Sequence, residues 1–276
     1  MNYHDDKWIM EKVQEHYDEA LVQFPKERIV CVALHGSQNY GLDVEDSDVD
    51  TKLIITPTFQ DLAMNRQASS YTHVRENNEH IDIKDVRLYL QTFRKQNLNF
   101  LEILFTPYTI INPLYEEQWN RLRENRELIT HYAPQRSVSS MVGVAMNKWS
   151  SLEKDTPARH EIVKKYGYDP KQLMHLLRIE EFLEGYVNRK SYKECLLPCN
   201  RNYLITVKQG KYIQKEARKL AEISIQHCMD LEKEFIKQIE ADKESYTQIK
   251  EEAEDLLNSV QYEIMKIAIK NEEDLK

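Results

Sequence analysis

Three acidic side chains and a glycine-serine pair are the residues here whose types and spacing could do chemistry. In "VALHGSQNYGLDVEDSDVDTKLIIT", residues 32–56, an apolar run enters His35-Gly36-Ser37 and crosses an acidic loop. It returns as an alternating run that holds Asp48 and Asp50 one residue apart. On a strand, residues i and i+2 share a face, so the two carboxylates project together while Val49 packs behind them. Like charges that close resist joint ionisation unless a cation neutralises them. Mg²⁺ suits the arrangement, with Mn²⁺ as a substitute, because it takes hard carboxylate oxygens and completes its shell with water and substrate phosphates. Asp82 has the same apolar-acid-apolar setting, Ile81-Asp82-Ile83, on an expected neighbouring strand. Asp85 and Glu79 lie close by, but period two places Asp85 on the opposite side. Three acids across two adjacent strands can hold two metals about 3.5–4 Å apart, the clamp used for in-line displacement at phosphorus. Gly36 lets backbone amides approach a phosphate, and Ser37 adds a hydroxyl donor. The pieces converge on a nucleoside triphosphate.

The elements that must position these residues make a small mixed α/β unit. Residues 7–23 repeat Trp8, Ile9, Val13, Tyr17, Leu21 and Val22 at helical spacing. Strands are expected at 28–34, 48–55 and 80–86, and a helix over 86–97. "FLEILFT" (100–106) is an apolar run ended by Pro107. From about 113 the signals are helical. In "YDPKQLMHLLRIEEFLEGY" Asp169 sits at an N-cap, Pro170 at the first helical position, and Gly185 where such a helix would stop. No Gly or Pro follows Gly210, so two long helices are expected, roughly 212–241 and 244–272. The expected organisation is a core over 1–112 and a helical region over 113–276.

Composition bounds the function. The chain has 276 residues, 41% hydrophobic and 30% charged, an ordinary globular balance. No apolar run approaches a membrane span, and the acidic, amphipathic N-terminus reads as neither signal nor transit peptide. A cytoplasmic protein without a membrane partner is expected. Four cysteines form neither a disulfide framework nor a zinc site. A net charge of −8 argues against a broad nucleic-acid coat. The charge is segregated, however: Lys and Arg bunch between Arg159 and Lys219, whereas acids dominate the C-terminal stretch. Within the basic segment, Lys171, His175 and Arg178 fall at i, i+4 and i+7 of one helix. That stripe would steady triphosphate oxygens or reach an acceptor strand. The competing reading is a solvated helix face, and for the charge-rich C-terminal helices an outward face on a bundle is favoured. For His35 an ordinary strand-end role is favoured, and for Tyr166, Tyr168, Tyr186, Tyr192 and Tyr203 packing is favoured over base stacking.

Gly36-Ser37, ten intervening residues, Asp48-Val49-Asp50 and the later Asp82 resemble the signature of the DNA polymerase beta-like nucleotidyltransferase superfamily. "GSQNYGLDVEDSDVDTK" with "GYDPKQLMHLLR" resembles its RNA-repair-associated branch, over roughly residues 30–220. The resemblance implies a nucleotidyltransferase fold followed by helices, and metal-dependent transfer of a nucleotide with pyrophosphate leaving. It implies Asp48 and Asp50 as ligands of both metals and Asp82 as the acid that activates the attacking hydroxyl. It also implies Gly36 and Ser37 as the triphosphate cradle. Lys52 falls where the branch tends to have arginine and is thereby implied as a nucleotide-binding residue; the charge for a phosphate is kept and the bidentate fork is lost. His175 and Arg178 match the second motif. The implied acceptor is an RNA or tRNA end. Three other readings stand beside it: a toxin-like enzyme modifying a protein or tRNA, a nucleotide-binding regulator without turnover, and a structural protein built on the acidic helices.

Overall fold

Five strands form the sheet: β1 (Ile29–His35), β2 (Asp50–Ile55), β3 (Ser70–Val74), β4 (His80–Asp85) and β5 (Thr109–Ile111). The computed structural model describes residues 3–274. The sheet order is β3-β4-β2-β1-β5. β2 and β4 run parallel and every other neighbouring pair is antiparallel. This is the mixed sheet of an α/β core, with a largely helical chain after it. Two strands were not visible in the sequence. β3 is an exposed edge strand without an apolar face, and β5 has three residues.

One face of the sheet is apolar. There α1 (Asp6–Gln23), capped by the Asp5 side chain, lays Ile9, Val13, Tyr17 and Ala20 against Val32, Leu34, Leu53 and Ile81. A polar staple crosses that layer. Buried His16 meets Thr51 Oγ1 at 2.8 Å and Glu79 Oε2 at 3.1 Å, and Arg75 donates to both Glu79 and Glu19. Burial alone would raise the Glu79 carboxyl. Hydrogen bonds from His16 and Asn77, the His16 charge and the Arg75 guanidinium outweigh it and bring the pKa down to about 2.

The other face carries His35, Asp50, Lys52, His80 and Asp82, because register puts His35 opposite Asp50 and Lys52 opposite Asp82. It is backed by α3 (Val86–Arg94), which follows α2 (Phe59–Ala63) and β4, and by α4 (Leu98–Leu101) with the 3-10 turn Glu102–Leu104. The apolar run at 100–106 is therefore helical turns with Glu102 turned inward.

Then come α5 (Glu116–Glu124), α6 (Arg126–Thr130), α7 (Pro134–Ser150), α8 (His160–Tyr166), α9 (Pro170–Val187), α10 (Tyr192–Leu196), α11 (Arg201–Lys208), α12 (Gln214–Ala241) and α13 (Lys243–Asp274). The chain forms two compact units. One runs up to Ala133 and takes in the stretch from Thr247 onward; the other is Pro134–Tyr246. The sequence reading divides the chain at 112/113 instead. Two observations account for the difference. α5 and α6 pack with the core, and α13 returns to it through buried Ala253, Leu257, Val260 and Ile264. Arg94 holds Glu254 at 3.0 Å and Arg121 holds Glu263 at 2.6 Å, so acids that read as an outward face clasp this unit.

In the second unit α9 is central, packed by α7, α10, α11 and α12. Asp169 caps it and Pro170 opens it as expected. It does not stop at Gly185. A Cβ there would lie 3.0 Å from Cys195 Sγ, so this glycine serves close approach of α10, and the helix runs on to Val187. All four cysteines are free, and among the described residues no helix is long and apolar enough to cross a membrane.

The Glu79 carboxyl lies below its ordinary value of 4.5, so its contribution is present above that value and is lost as pH falls through about 2. Glu79→Gln is expected to lower stability by ~1–3 kcal/mol at pH 7, with the deficit closing towards pH 2. Urea titrations at several pH values measure it, and a deficit independent of pH would contradict the assignment.

Candidate active site

The Gly-Ser turn is built by a glycine in a conformation other residues avoid. Gly36 has φ 117° and ψ −156°, and a 3-10 turn follows over Ser37–Tyr40, closed by left-handed Gly41. The Gly36 N–H donates to Glu102 Oε1 at 2.8 Å, and the same oxygen meets His35 Nδ1 at 2.7 Å. Glu102 is 1% exposed. Buried Gln38 donates from Nε2 to the Asp48 carbonyl at 2.9 Å, tying the turn to the first aspartate. The Asp46-Ser47 stretch makes the turn into the strand, with the Val44 N–H donating to Ser47 Oγ at 2.9 Å.

The acids follow. β2 begins at Asp50 rather than Asp48, so Asp48 lies on the lead-in. Val49 is buried, Asp48 is exposed and Asp50 is intermediate, which is the expected alternation. Asp50 Oδ1 accepts from the His80 N–H at 2.9 Å and meets His80 Nδ1 at 3.1 Å. Asp82 faces the same side from β4. Its register partner is Lys52, and Lys52 Nζ donates to Asp82 Oδ2 at 2.7 Å. That ammonium also lies 4.5 Å from the centre of the Phe100 ring. Asp85 faces the other way, caps α3 and pairs with Arg87, as period two requires.

Tyr89 lies beneath this face. Burial, then the neighbouring Cys31, Asp82 and Glu102, pushes its hydroxyl well above the ordinary tyrosine range. It is a neutral hydrogen-bond donor, and it donates to the Phe100 carbonyl at 3.3 Å. The donor set of Asp48 and Asp50 fits a hard divalent cation in chemistry and in face. Asp82 is occupied by an ammonium. Among the described residues no group of three or more His, Cys, Asp or Glu side chains stands ready to hold a metal.

Residues 7–263 match the family model described as the RNA repair pathway DNA polymerase beta family, RlaP. The chain belongs to this family. No curated protein matches the chain significantly. Membership in the RlaP family points to a nucleotidyltransferase.

The second basic group of this RlaP-family chain lies in the other unit. Lys171 is exposed, His175 partly buried and Arg178 buried, so the stripe is not a solvated face throughout. Burial, and then Arg178, Lys148, Lys171 and Lys208, hold the His175 pKa well below the ordinary imidazole value. It is therefore neutral at physiological pH, and the stripe supplies two permanent charges rather than three. Lys148 on α7 is pulled down by burial and by Arg159, Lys171 and Arg178, with Asp169 opposing. Cations thus gather around the first half of α9 from three other segments. Tyr168, Tyr186 and Tyr192 are buried and pack rather than stack bases.

Sequence reasoning missed Glu102, Gln38 and Lys148. Glu102 left a signal, as the one charge inside "FLEILFT". Gln38 and Lys148 left none, since neither residue type at its spacing marks the neighbours it meets in the fold. Gly36→Ala tests the turn. The space is open, the nearest atom being Gln38 Oε1 at 3.9 Å, so the backbone alone resists. The expected loss is ~1–3 kcal/mol in chemical denaturation; a loss under ~0.5 kcal/mol would show that the turn adapts.

Proposed function

We propose that the chain transfers a nucleoside monophosphate from a nucleoside triphosphate to a hydroxyl acceptor, an RNA or tRNA end, with Mg²⁺ or Mn²⁺. The observation that carries this reading is the pairing of Asp48 and Asp50 around buried Val49, tied by Gln38 to the Gly36-Ser37 turn. Asp48 and Asp50 are the residues that would hold the divalent cation, with substrate phosphates and water completing the shell. When bound, such a cation neutralises charge on the triphosphate and lowers the pKa of an attacking hydroxyl.

The chain's own groups supply position and charge. Ser37 offers a hydroxyl beside the turn, and Gly36 keeps side-chain bulk away from the phosphates. His80 fixes the orientation of Asp50 through Oδ1, leaving its other oxygen for a cation. Asp82 is the third acid on the same face and the candidate acceptor for the hydroxyl proton. Lys171 and Arg178, with Lys148 beside them, make a site for phosphate oxygens in their own unit. Catalysis of this kind rests on placement and electrostatics rather than covalent chemistry.

The Lys52–Asp82 ion pair supports a second reading, in which the chain binds nucleotide and does not turn it over. Incubation with labelled triphosphates, Mg²⁺ or Mn²⁺, and separate pools of total RNA and bulk protein distinguishes the readings. Label in RNA is the expected result. Label in protein alone would support the toxin-like enzyme, and nucleotide binding with no label in either pool would support the regulator. Asp48→Asn and Asp50→Asn are expected to abolish transfer with unchanged thermal unfolding, and full activity in both would exclude this site. Lys171→Ala, at an exposed position, is expected to raise KM for triphosphate or acceptor by about threefold. Unchanged KM for both substrates would remove α9 from substrate binding.

A further inference from the structure

The acid face already contains a cation. Parallel register sets Lys52 directly beside Asp82, and Lys52 Nζ closes on Asp82 Oδ2 at 2.7 Å. The lysine side chain is 8% exposed and that of Asp82 19%, so water competes poorly for either group. Beneath the ammonium lies the Phe100 ring at 4.5 Å, whose face attracts positive charge. Lys52 is thus held by an anion on one side and a π face on another. An ion pair this enclosed is costly to break by removing one partner, because the other is left buried and uncompensated.

Charge balance gives the consequence. Asp48, Asp50 and Asp82 carry three negative charges when ionised, and the Lys52 ammonium cancels one. Two remain, which a single divalent cation neutralises. We infer that Lys52 is a resident counter-ion that withholds Asp82 from the metal-binding set, so the nucleotide-free chain takes one divalent cation, on Asp48 and Asp50. Asp82 joins the set only when Lys52 leaves it. The group suited to drawing Lys52 away is a phosphate oxygen, which an ammonium binds as a point charge with rotatable donors. Lys52 is a positioning residue in this account. It sets how many cations the acids hold before substrate arrives. The inference rests on the proposed metal role of Asp48 and Asp50.

Mn²⁺ titration of the full chain without nucleotide, followed by the electron paramagnetic resonance signal of free Mn²⁺, tests it. The wild type is expected to bind one Mn²⁺ per chain. Lys52→Met is expected to bind two, with the first about tenfold tighter. Lys52→Gln, which keeps a hydrogen bond to Asp82 without the charge, is expected to show the same gain. Lys52→Arg, which keeps the charge, is expected to match the wild type. Two Mn²⁺ on the wild type, or one Mn²⁺ at wild-type affinity on both neutral variants, would overturn the inference alone. Asp50→Asn separates the two levels: Mn²⁺ binding that survives it, or no Mn²⁺ binding by the wild type, overturns the metal reading with the inference.

Discussion

Repulsion among carboxylates on one sheet face is the constraint around which this molecule is arranged. Asp48, Asp50 and Asp82 face the same side of adjacent strands, and an apolar sheet would not tolerate them without positive or donating neighbours. The structure meets that need locally. Asp82 has the Lys52 ammonium, and Asp50 has the backbone and ring nitrogens of His80. Exposed Asp48 has solvent. Among the described residues, neither acid at the start of β2 has a Lys or Arg partner comparable to Lys52, and the two lie close in the chain to a turn that glycine alone forms without strain. On the opposite face the Glu79 carboxylate is compensated in turn, by His16, Asn77 and Arg75.

The supporting structure serves that arrangement. Val49 and Leu53 anchor β2 in the core, so the alternate residues cannot rotate away. Glu102, brought inward by the helical turns after α4, takes both the Gly36 N–H and the His35 ring. The turn therefore rests on a buried carboxylate from a segment far along the chain. α13 holds the outside of the same unit through Arg94, Arg121 and Tyr132. The family match over residues 7–263 spans parts of both units, α9 among them.

Much of this was legible where a local pattern carries it. Period two assigned Asp82 rather than Asp85 to the acid face, because it depends only on pleat geometry. Asp169-Pro170 announced the start of α9 through capping chemistry that is equally local. Failures occurred where the determinant is tertiary. Gly185 looks like a helix terminator, yet it makes room for Cys195 across a helix contact that spacing cannot show. The acidic C-terminal helices look solvated because their charges are obvious, while the Ala253-Leu257-Val260-Ile264 stripe that packs them is short of large side chains. Arg178 falls on a basic stripe by periodicity, and it is buried because α9 is surrounded. Lys52 reads as a phosphate ligand through the resemblance; only register reveals its present partner.

The central claim is that Asp48 and Asp50 hold the divalent cation that serves the triphosphate. Anomalous diffraction from crystals grown with Mn²⁺ and a non-hydrolysable nucleoside triphosphate tests it most directly. The account predicts a manganese peak about 2.0–2.3 Å from a carboxylate oxygen of each residue, shared with phosphate oxygens beside the Gly36-Ser37 turn. Manganese and nucleotide bound elsewhere, with both carboxylates pointing to solvent, would contradict it.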